Sequence, residues 1–322
     1  MHKPGVLLTR RVPSSVVARL EERCTVDIYE GQDAIPAAEL KARLAGKQAL
    51  MCLLTDRVDG AVLDAGPGLR IVANIAVGFD NIDIAAARAR GVIVTNTPDV
   101  LTEATADLTW GLILAVTRRI PEGERLLRRG EWAGWALDFM LGSDLRGKQL
   151  GVIGLGRIGR AVAARAGAFG MRVAFTTLEP GADGGDAADP GWARLSLDEL
   201  LTSSDVVSLH VPLTPATRHL VDRRVILRMK RRAYLVNTSR GPVVDEAALA
   251  WALREGLIAG AALDVYEQEP RVHPDLLDLE NVVLAPHLGS ATVETRTAMA
   301  DLAARNVLAV LSGSPPLTPV VG

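Results

Sequence analysis

The chain has two cysteines, five histidines, a formal net charge of −2 and no long hydrophobic run in 322 residues. Each shortage excludes a class of function. Cys24 and Cys52 lie far apart, each among apolar neighbours, and read as buried thiols in a reducing cytoplasm rather than as disulfide or metal partners. A charge this close to zero, with a pI near 6.2, offers no basic field to nucleic acid or to an anionic membrane. No stretch reaches the ~18 apolar residues of a membrane span, and the apolar run in "MHKPGVLLTRRVP" is too short for a signal peptide. The expectation is a soluble, cytoplasmic protein whose partners are neither nucleic acid nor membrane.

What is present points to an ordinary globular chain, 48% apolar and 23% charged, long enough for about two domains at the usual ~100–200 residues each. Strand-like runs at 5–9, 49–55, 69–75, 92–96, 149–154, 172–176, 206–210, 233–237, 260–264 and 281–285 alternate with helical stretches at 14–23, 83–89, 157–169, 246–255 and 293–311. Several of these strands are apolar on both faces, as parallel strands covered by helices must be. The alternation predicts an α/β fold of doubly wound sheets. So many strands overfill one sheet. The apolar helix at 101–120 and the more polar one at 122–129 suit a connection between two units, the second starting at Leu150, with helix 293–311 placed to cross back onto the first.

The motif "VIGLGRIG" spaces Gly154, Gly156 and Gly159 as G-x-G-x-x-G, between a strand ending at Ile153 and a helix starting near Arg157. That context suits a dinucleotide: a tight turn, close backbone approach to pyrophosphate, and a helix N-terminus facing the phosphates. Leu155, Arg157 and Ile158 complete the loop. Ligands of open α/β sheets bind beyond the carboxyl ends of the strands. There the chain places Val77 and Gly78 in "AVGFDNID", Arg240 in "TSRGP", Asp264 and Glu269 in "DVYEQEP", and His287 in "LAPHLGSA". Reducing a carbonyl by hydride transfer needs a proton donor, and histidine titrates near neutrality. A neighbouring carboxylate fixes the ring and favours the imidazolium, and a guanidinium grips a substrate carboxylate or carbonyl with paired donors. His287 therefore reads as the acid/base, against the plainer readings of a packing histidine, a structural Arg240 salt bridge and a Glu269 that only caps a loop. His210 reads as a cofactor-side or packing residue, and His2, His219 and His273 as solvated.

Together "VIGLGRIG", "HVPLTPATRHL", "NTSRGPVVDEAAL", "AALDVYEQEP" and "PHLGSAT" resemble the D-2-hydroxyacid dehydrogenase family over nearly the whole chain. "NTPDVLTEATADL" and "PHLGSATVETRTAMADLAARN" bring it nearest to the glyoxylate/hydroxypyruvate reductases. The resemblance implies a two-domain α/β fold with a cleft. A flavodoxin-like substrate domain would comprise 1–98 plus 288–322, with a Rossmann NAD(P) domain at 99–287 inserted into it. It implies that Arg240 binds substrate, that Glu269 partners the proton donor His287, and that Asp264 lies near the nicotinamide carboxamide. Substrate contacts fall on Leu53, Val77, Gly78 and Trp135. Further cofactor contacts fall on Thr102, Thr176, Thr177, Val211, Pro212, Thr217, Thr238, Ser239 and Gly289. It also implies a homodimer, with the "GEWAGW" segment reaching toward the partner's site. The apolar helix 101–120 and the tryptophans after it are read as surface for that contact.

The expected activity is reduction of glyoxylate or hydroxypyruvate to glycolate or D-glycerate with NAD(P)H. A phosphite-oxidising relative would carry lysine before the "VG" turn, where this chain has Ala76, and a non-catalytic dinucleotide sensor would be expected to lose members of the Arg240/Glu269/His287 set. One departure bears on the cofactor. Thr177 stands where many members have a ribose-binding aspartate, and Leu178 where NADP users have arginine. No Lys or Arg occurs from Val173 through Ala193, while Glu179, Asp183, Asp186 and Asp189 are acidic, so the balance leans to NAD.

Overall fold

A computed structural model describes residues 3–178 and 191–320 and divides into two units. The first comprises Met1–Leu101 and Thr292–Gly322. Its elements run β1 (Gly5–Leu8), α1 (Ser14–Glu21), β2 (Thr25–Ile28), α2 (Ala37–Leu44), β3 (Ala49–Cys52), α3 (Gly60–Ala65), β4 (Ile71–Asn74), α4 (Ile84–Ala89) and β5 (Ile93–Thr95). All strand pairings are parallel, in the order β2-β1-β3-β4-β5. That is the flavodoxin-like order, whose direction reverses at β1/β3.

The second unit, Thr102–Ala291, begins with α5 (Thr102–Thr117) and α6 (Ile120–Arg128). There follow β6 (Gln149–Ile153), α7 (Arg157–Arg165), β7 (Arg172–Thr176), β8 (Ala193–Arg194), α8 (Leu197–Ser203) and β9 (Val206–Leu209). The unit ends with α9 (Arg223–Ile226), β10 (Tyr234–Asn237), α10 (Glu246–Arg254), β11 (Gly260–Leu263), α11 (Pro274–Leu277) and β12 (Val282–Leu284). Its parallel sheet is ordered β12-β11-β10-β9-β6-β7-β8, a Rossmann arrangement whose switch point lies between β6 and β9. The final helix, α12 (Val293–Leu311), packs on β3, β4 and α1 of the first unit.

The strands are apolar on both faces because both faces are buried. Leu7, Leu50 and Val72 point into one layer of the first unit, and Val6, Leu8, Met51 and Ile71 into the layer beneath α1 and α12. Cys24 and Cys52 are buried in these layers. Sequence periodicity misses β2, an edge strand whose residues are exposed or half-buried, and the two-residue β8, because neither carries the doubly apolar signature. It also misses the short helices α2, α3 and α8, although α3 and α8 carry N-cap side chains, Asp59 and Ser196, the latter in a full capping box with Glu199.

Helix α5 is not the exposed apolar surface that its composition suggests. Ala106, Trp110, Leu112, Ile113 and Val116 enter the core of the second unit. The large apolar side chains exposed in the part of the chain directly after it, 120–141, are Ile120 and Leu127 on α6, and Trp132, Trp135, Leu137, Phe139 and Leu141 in the segment that follows. Among the described residues no helix is long and apolar enough to cross a membrane.

Candidate functional site

The glycine loop shows what each glycine is for. Gly154, at φ 93°, turns the chain out of β6 and donates its N–H to Thr176 O at 2.9 Å. A Cβ there would lie 2.6 Å from His210 O, and one on Gly159 would lie 2.1 Å from Gly154 O, so helix and strand ends pack too closely for any side chain. Gly156 differs. It is the N-cap of α7 without a side-chain cap, and a Cβ on it would meet no protein atom within 4 Å. Bare space before the unsatisfied N–H groups of a helix start is what a pyrophosphate requires. The residues fit a dinucleotide. Thr176 and Thr177 lie at the end of the adjacent β7, Thr176 buried and Thr177 half-buried. Beyond β9, Val211 is buried, and Thr217 Oγ1 donates to Pro212 O at 2.7 Å, closing the turn. Thr102 starts α5.

The charged set gathers beyond β10, β11 and β12, three neighbouring strands. After β10, the Asn237 side chain accepts from Ser239 N–H and Oγ and donates to Arg240 O, folding the Thr238–Arg240 turn back on itself. Thr238 Oγ1 lies 2.9 Å from Thr109 Oγ1 on α5. Gly241 follows, and a Cβ on it would be 1.8 Å from the carbonyl carbon of Tyr266, so the Arg240 turn and the loop after β11 touch backbone to backbone. In that loop Glu269 Oε1 accepts Tyr266 N–H at 3.1 Å, and Oε2 meets His287 Nδ1 at 2.9 Å. Burial pushes the Glu269 carboxyl up, but the His287 bond and charge, the Tyr266 N–H and the Arg240 charge outweigh it and hold it below the usual carboxylate range.

His287 itself is held in the left-handed region, φ 54°, which costs a non-glycine residue roughly 1–3 kcal/mol unless its surroundings impose it. Asp264 imposes it. This residue is 1% exposed, and its carboxylate accepts Leu288 N–H at 2.6 Å and Gly289 N–H at 2.8 Å, while its carbonyl accepts His287 N–H at 2.9 Å. Burial raises the Asp264 carboxyl above its ordinary range, against these N–H bonds and the His287 charge. Asp264 thus clamps the turn that carries His287.

The sequence reads His219 and His273 as solvated; both keep access to solvent, and the structure gives each a partner. His273 Nδ1 caps α11. His219 Nε2 meets Glu267 Oε2 at 2.8 Å, and the His219 backbone N–H donates to Pro242 O, so the residue bridges the segment after Arg240 and the loop carrying Glu269. Glu267 Oε1 accepts Glu246 N–H, and Glu246 Oε1 accepts Glu267 N–H in return. The signal available was the pairing of "RHL" with a second glutamate in "YEQEP", but two carboxylates two residues apart give no register without the fold. His210, half-buried at the end of β9, is bonded to Ser208 Oγ at 2.8 Å, with burial pulling its pKa down to about 3. His2 and the acidic stretch 179–189 lie outside the described residues.

Buried Leu155 lies in the glycine loop, and Arg157 and Ile158 open α7. The remaining substrate candidates lie in the first unit, except Trp135, which is 81% exposed in the segment after α6. Leu53 follows β3; Val77 and Gly78 follow β4. Amide side chains shape both turns: Asn74 donates to Gly78 O at 2.8 Å, Asn96 to Val77 O at 2.8 Å, and Asn81 to Leu53 O at 3.0 Å. Because a trans peptide sets C=O and N–H opposite, anchoring Val77 O turns the Gly78 N–H away from Asn96. Buried Asp56 accepts Thr9 Oγ1 and Leu53 N–H.

Comparison with known proteins adds what geometry cannot. Residues 110–289 match the family model of the D-isomer specific 2-hydroxyacid dehydrogenase NAD binding domain. A glyoxylate reductase of Thermofilum pendens is 49% identical over 320 residues, covering 98% of this chain and 94% of its own. A solved protein of Thermus thermophilus superimposes with a TM-score of 0.92 at 48% identity, covering 98% of this chain and 100% of its own. An NADPH-dependent glyoxylate/hydroxypyruvate reductase of Sinorhizobium meliloti, solved with NADP and malonate, gives 0.88 at 39% identity, covering 99% and 97%.

Proposed function

The chain belongs to the D-isomer specific 2-hydroxyacid dehydrogenase family, and on that premise we propose that it reduces glyoxylate or hydroxypyruvate to the 2-hydroxy acid with NAD(P)H. The observation that carries the reading is the His287 Nδ1–Glu269 Oε2 bond, formed beside Arg240 in the unit whose glycine loop fits a dinucleotide. When bound, the dihydronicotinamide supplies the hydride. The chain's own residues do the rest. Glu269 takes the Nδ1–H, fixing the tautomer and aiming Nε2 away from the loop; from Nε2 a proton passes to the carbonyl oxygen as C2 becomes a carbinol. Arg240 offers the planar fork of donors that suits a 2-oxo carboxylate. The Val77–Gly78 turn of the first unit, whose carbonyls are held by Asn96 and Asn74, has backbone N–H groups of the kind that suit an anion. Asp264 holds the His287 turn.

A homodimer in a reducing cytoplasm completes the proposal. It is supported by Trp132, Trp135, Leu137 and Leu141, a run of large apolar side chains more exposed than a lone protomer ordinarily leaves, and by the two buried thiols. Steady-state rates with glyoxylate, hydroxypyruvate and pyruvate, each with NADH and NADPH, test the activity. Turnover highest on one of the first two is the expected result, and no turnover on any 2-oxo acid refutes the reading. Light scattering that gives a stable, fully active monomer refutes the dimer.

A further inference from the structure

In the dehydrogenase reading the first unit offers the substrate two turns: the one after β3, which carries Leu53, and the Val77–Gly78 turn after β4. β3 and β4 are parallel neighbours, and their ladder runs as far as Ile75 N–H on Cys52 O, at 2.8 Å. Beyond it one side chain spans the two turns. Asn81 Nδ2 donates to Leu53 O and to Asp56 O, each at 3.0 Å. Asn81 Oδ1 accepts Asn74 Nδ2 at 3.2 Å, and the same Asn74 nitrogen donates to Gly78 O at 2.8 Å. Two carbonyls before Asn81 Nδ2 admit only a donor there, so the orientation of both amides is set along the relay.

Asp56 anchors the first turn from inside. It is 3% exposed, and its Oδ2 accepts Leu53 N–H at 2.7 Å and the hydroxyl of Thr9. Its own N–H donates to Leu53 O at 3.0 Å. Leu53 is therefore fixed at both its N–H and its C=O. The relay is rooted in the sheet at each end: Thr9 directly follows β1, Asn74 is the last residue of β4, and both are buried. Buried polar groups that satisfy one another rigidify what they join.

Resting on the dehydrogenase reading above, we infer that Asn81 and Asp56 are positioning residues for the 2-oxo acid, which lock the Leu53 turn and the Val77–Gly78 turn into one piece. The spacing between the Leu53 contact and the N–H groups of the second turn is then set in advance, and the substrate spends no binding energy on ordering them. Asn81 acts through the turns it joins, since its amide is committed to Leu53, Asp56 and Asn74.

Steady-state kinetics with glyoxylate, and calorimetry of the unreactive 2-oxo acid mimic oxamate on the NAD(P)H-loaded enzyme, test this. Asn81→Ala keeps the backbone bond from Val58 N–H to Asn81 O. It should raise KM and the oxamate Kd by about 5- to 30-fold while kcat stays within about threefold, the mark of lost substrate positioning and binding. NAD(P)H affinity should not move. Asn81→Asp, equal in size but with an oxygen set against two carbonyls, should do at least as much harm. Asp56→Ala should raise KM likewise, and Asp56→Asn, whose amide oxygen can still accept from Leu53 and Thr9, should recover most of that loss. Because both residues hold the Leu53 turn, the Asp56→Ala/Asn81→Ala double variant should lose less than the product of the single losses. Should Asp56→Ala fail to fold, the two Asn81 variants decide alone. An unchanged KM and oxamate affinity in Asn81→Ala, a kcat loss as large as the KM rise, or an Asn81→Asp chain that behaves as wild type overturns the inference and leaves the dehydrogenase reading standing. A wild-type chain that turns over no 2-oxo acid defeats both.

Discussion

Two histidine–glutamate pairs meet the same loop two residues apart. His287 Nδ1 lies 2.9 Å from Glu269, and His219 Nε2 lies 2.8 Å from Glu267. Both histidines have left-handed backbones, φ 54° and 51°. By distance and strain they are twins. Their surroundings separate them. Glu269 is held by a backbone N–H and by the Arg240 charge, and its histidine is bonded through Nδ1, which frees the far edge of the ring for a ligand. Glu267 is locked into a reciprocal backbone exchange with Glu246, which is only 4% exposed. A short histidine–carboxylate bond therefore does not by itself mark an acid/base. What separates the two pairs is which ring nitrogen the carboxylate takes and the Arg240 charge beside Glu269.

The comparison breaks most visibly at His287. His287→Ala should lower kcat by ~10²–10⁴-fold, the usual worth of a positioned acid/base, while calorimetric NAD(P)⁺ affinity stays put. Undiminished turnover would place the proton donor elsewhere.

Glu269→Gln comes next, with kcat down by about 10- to 100-fold, the worth of one charge-assisted hydrogen bond. Its pH dependence has a definite sign. The folded carboxyl sits below its ordinary range, so the stability it contributes is complete above the unfolded value, about 4.3, and is lost as pH falls through the lower folded one. Thermal melts of wild type should therefore drop more steeply in acid than those of Glu269→Gln. Parallel acid limbs would mean that the carboxylate gains nothing from His287.

His219→Ala should be milder. The backbone bond to Pro242 survives, but without the side-chain bond to Glu267 the chain should lose on the order of 1 kcal/mol, one hydrogen bond's net worth. The substrate KM should rise with the loosened Arg240 turn, and kcat should fall less than for Glu269→Gln. His219→Gln, which can still donate to Glu267, should restore most of both. A kcat loss equal to that of His287→Ala would erase the distinction between the pairs.

How much of this was legible beforehand follows from what each residue type signals. The doubly apolar strands and the G-x-G-x-x-G turn carry their environment in their own composition, so the Rossmann unit and its order of elements could be read directly. His287, Glu269 and Arg240 sit next to strand ends, where a fold-level rule collects ligands, and their likeness to a family motif sharpened the reading. The supporting shell carried no such mark. Asn237, Asp264 in its clamping role, Asn74, Asn81 and Glu246 act through hydrogen bonds to backbone atoms brought close only by the fold.

The smallest expected effect is also the sharpest contrast, because it runs opposite to that of Glu269. Burial, and then the charge of Glu267, push the Glu246 carboxyl above its ordinary range, against N–H bonds from Glu267 and His273 and the His273 charge. An acid with a raised folded pKa binds its proton more tightly folded than unfolded. Stability is then greatest below the unfolded value, about 4.3, and declines as pH rises through the folded one. Glu246→Gln removes the titration. It also removes one of two carboxylate oxygens that accept N–H, a cost that does not vary with pH. The difference in Tm, variant minus wild type, should therefore climb as pH rises from the unfolded value through the folded one and then level off, whatever its starting sign. At ~2–4 °C per kcal/mol for units of this size, scanning calorimetry resolves the slope. A difference that stays flat or falls would mean that the Glu246 anion is as well served inside the fold as Glu269 is, and the two glutamates would no longer be opposites.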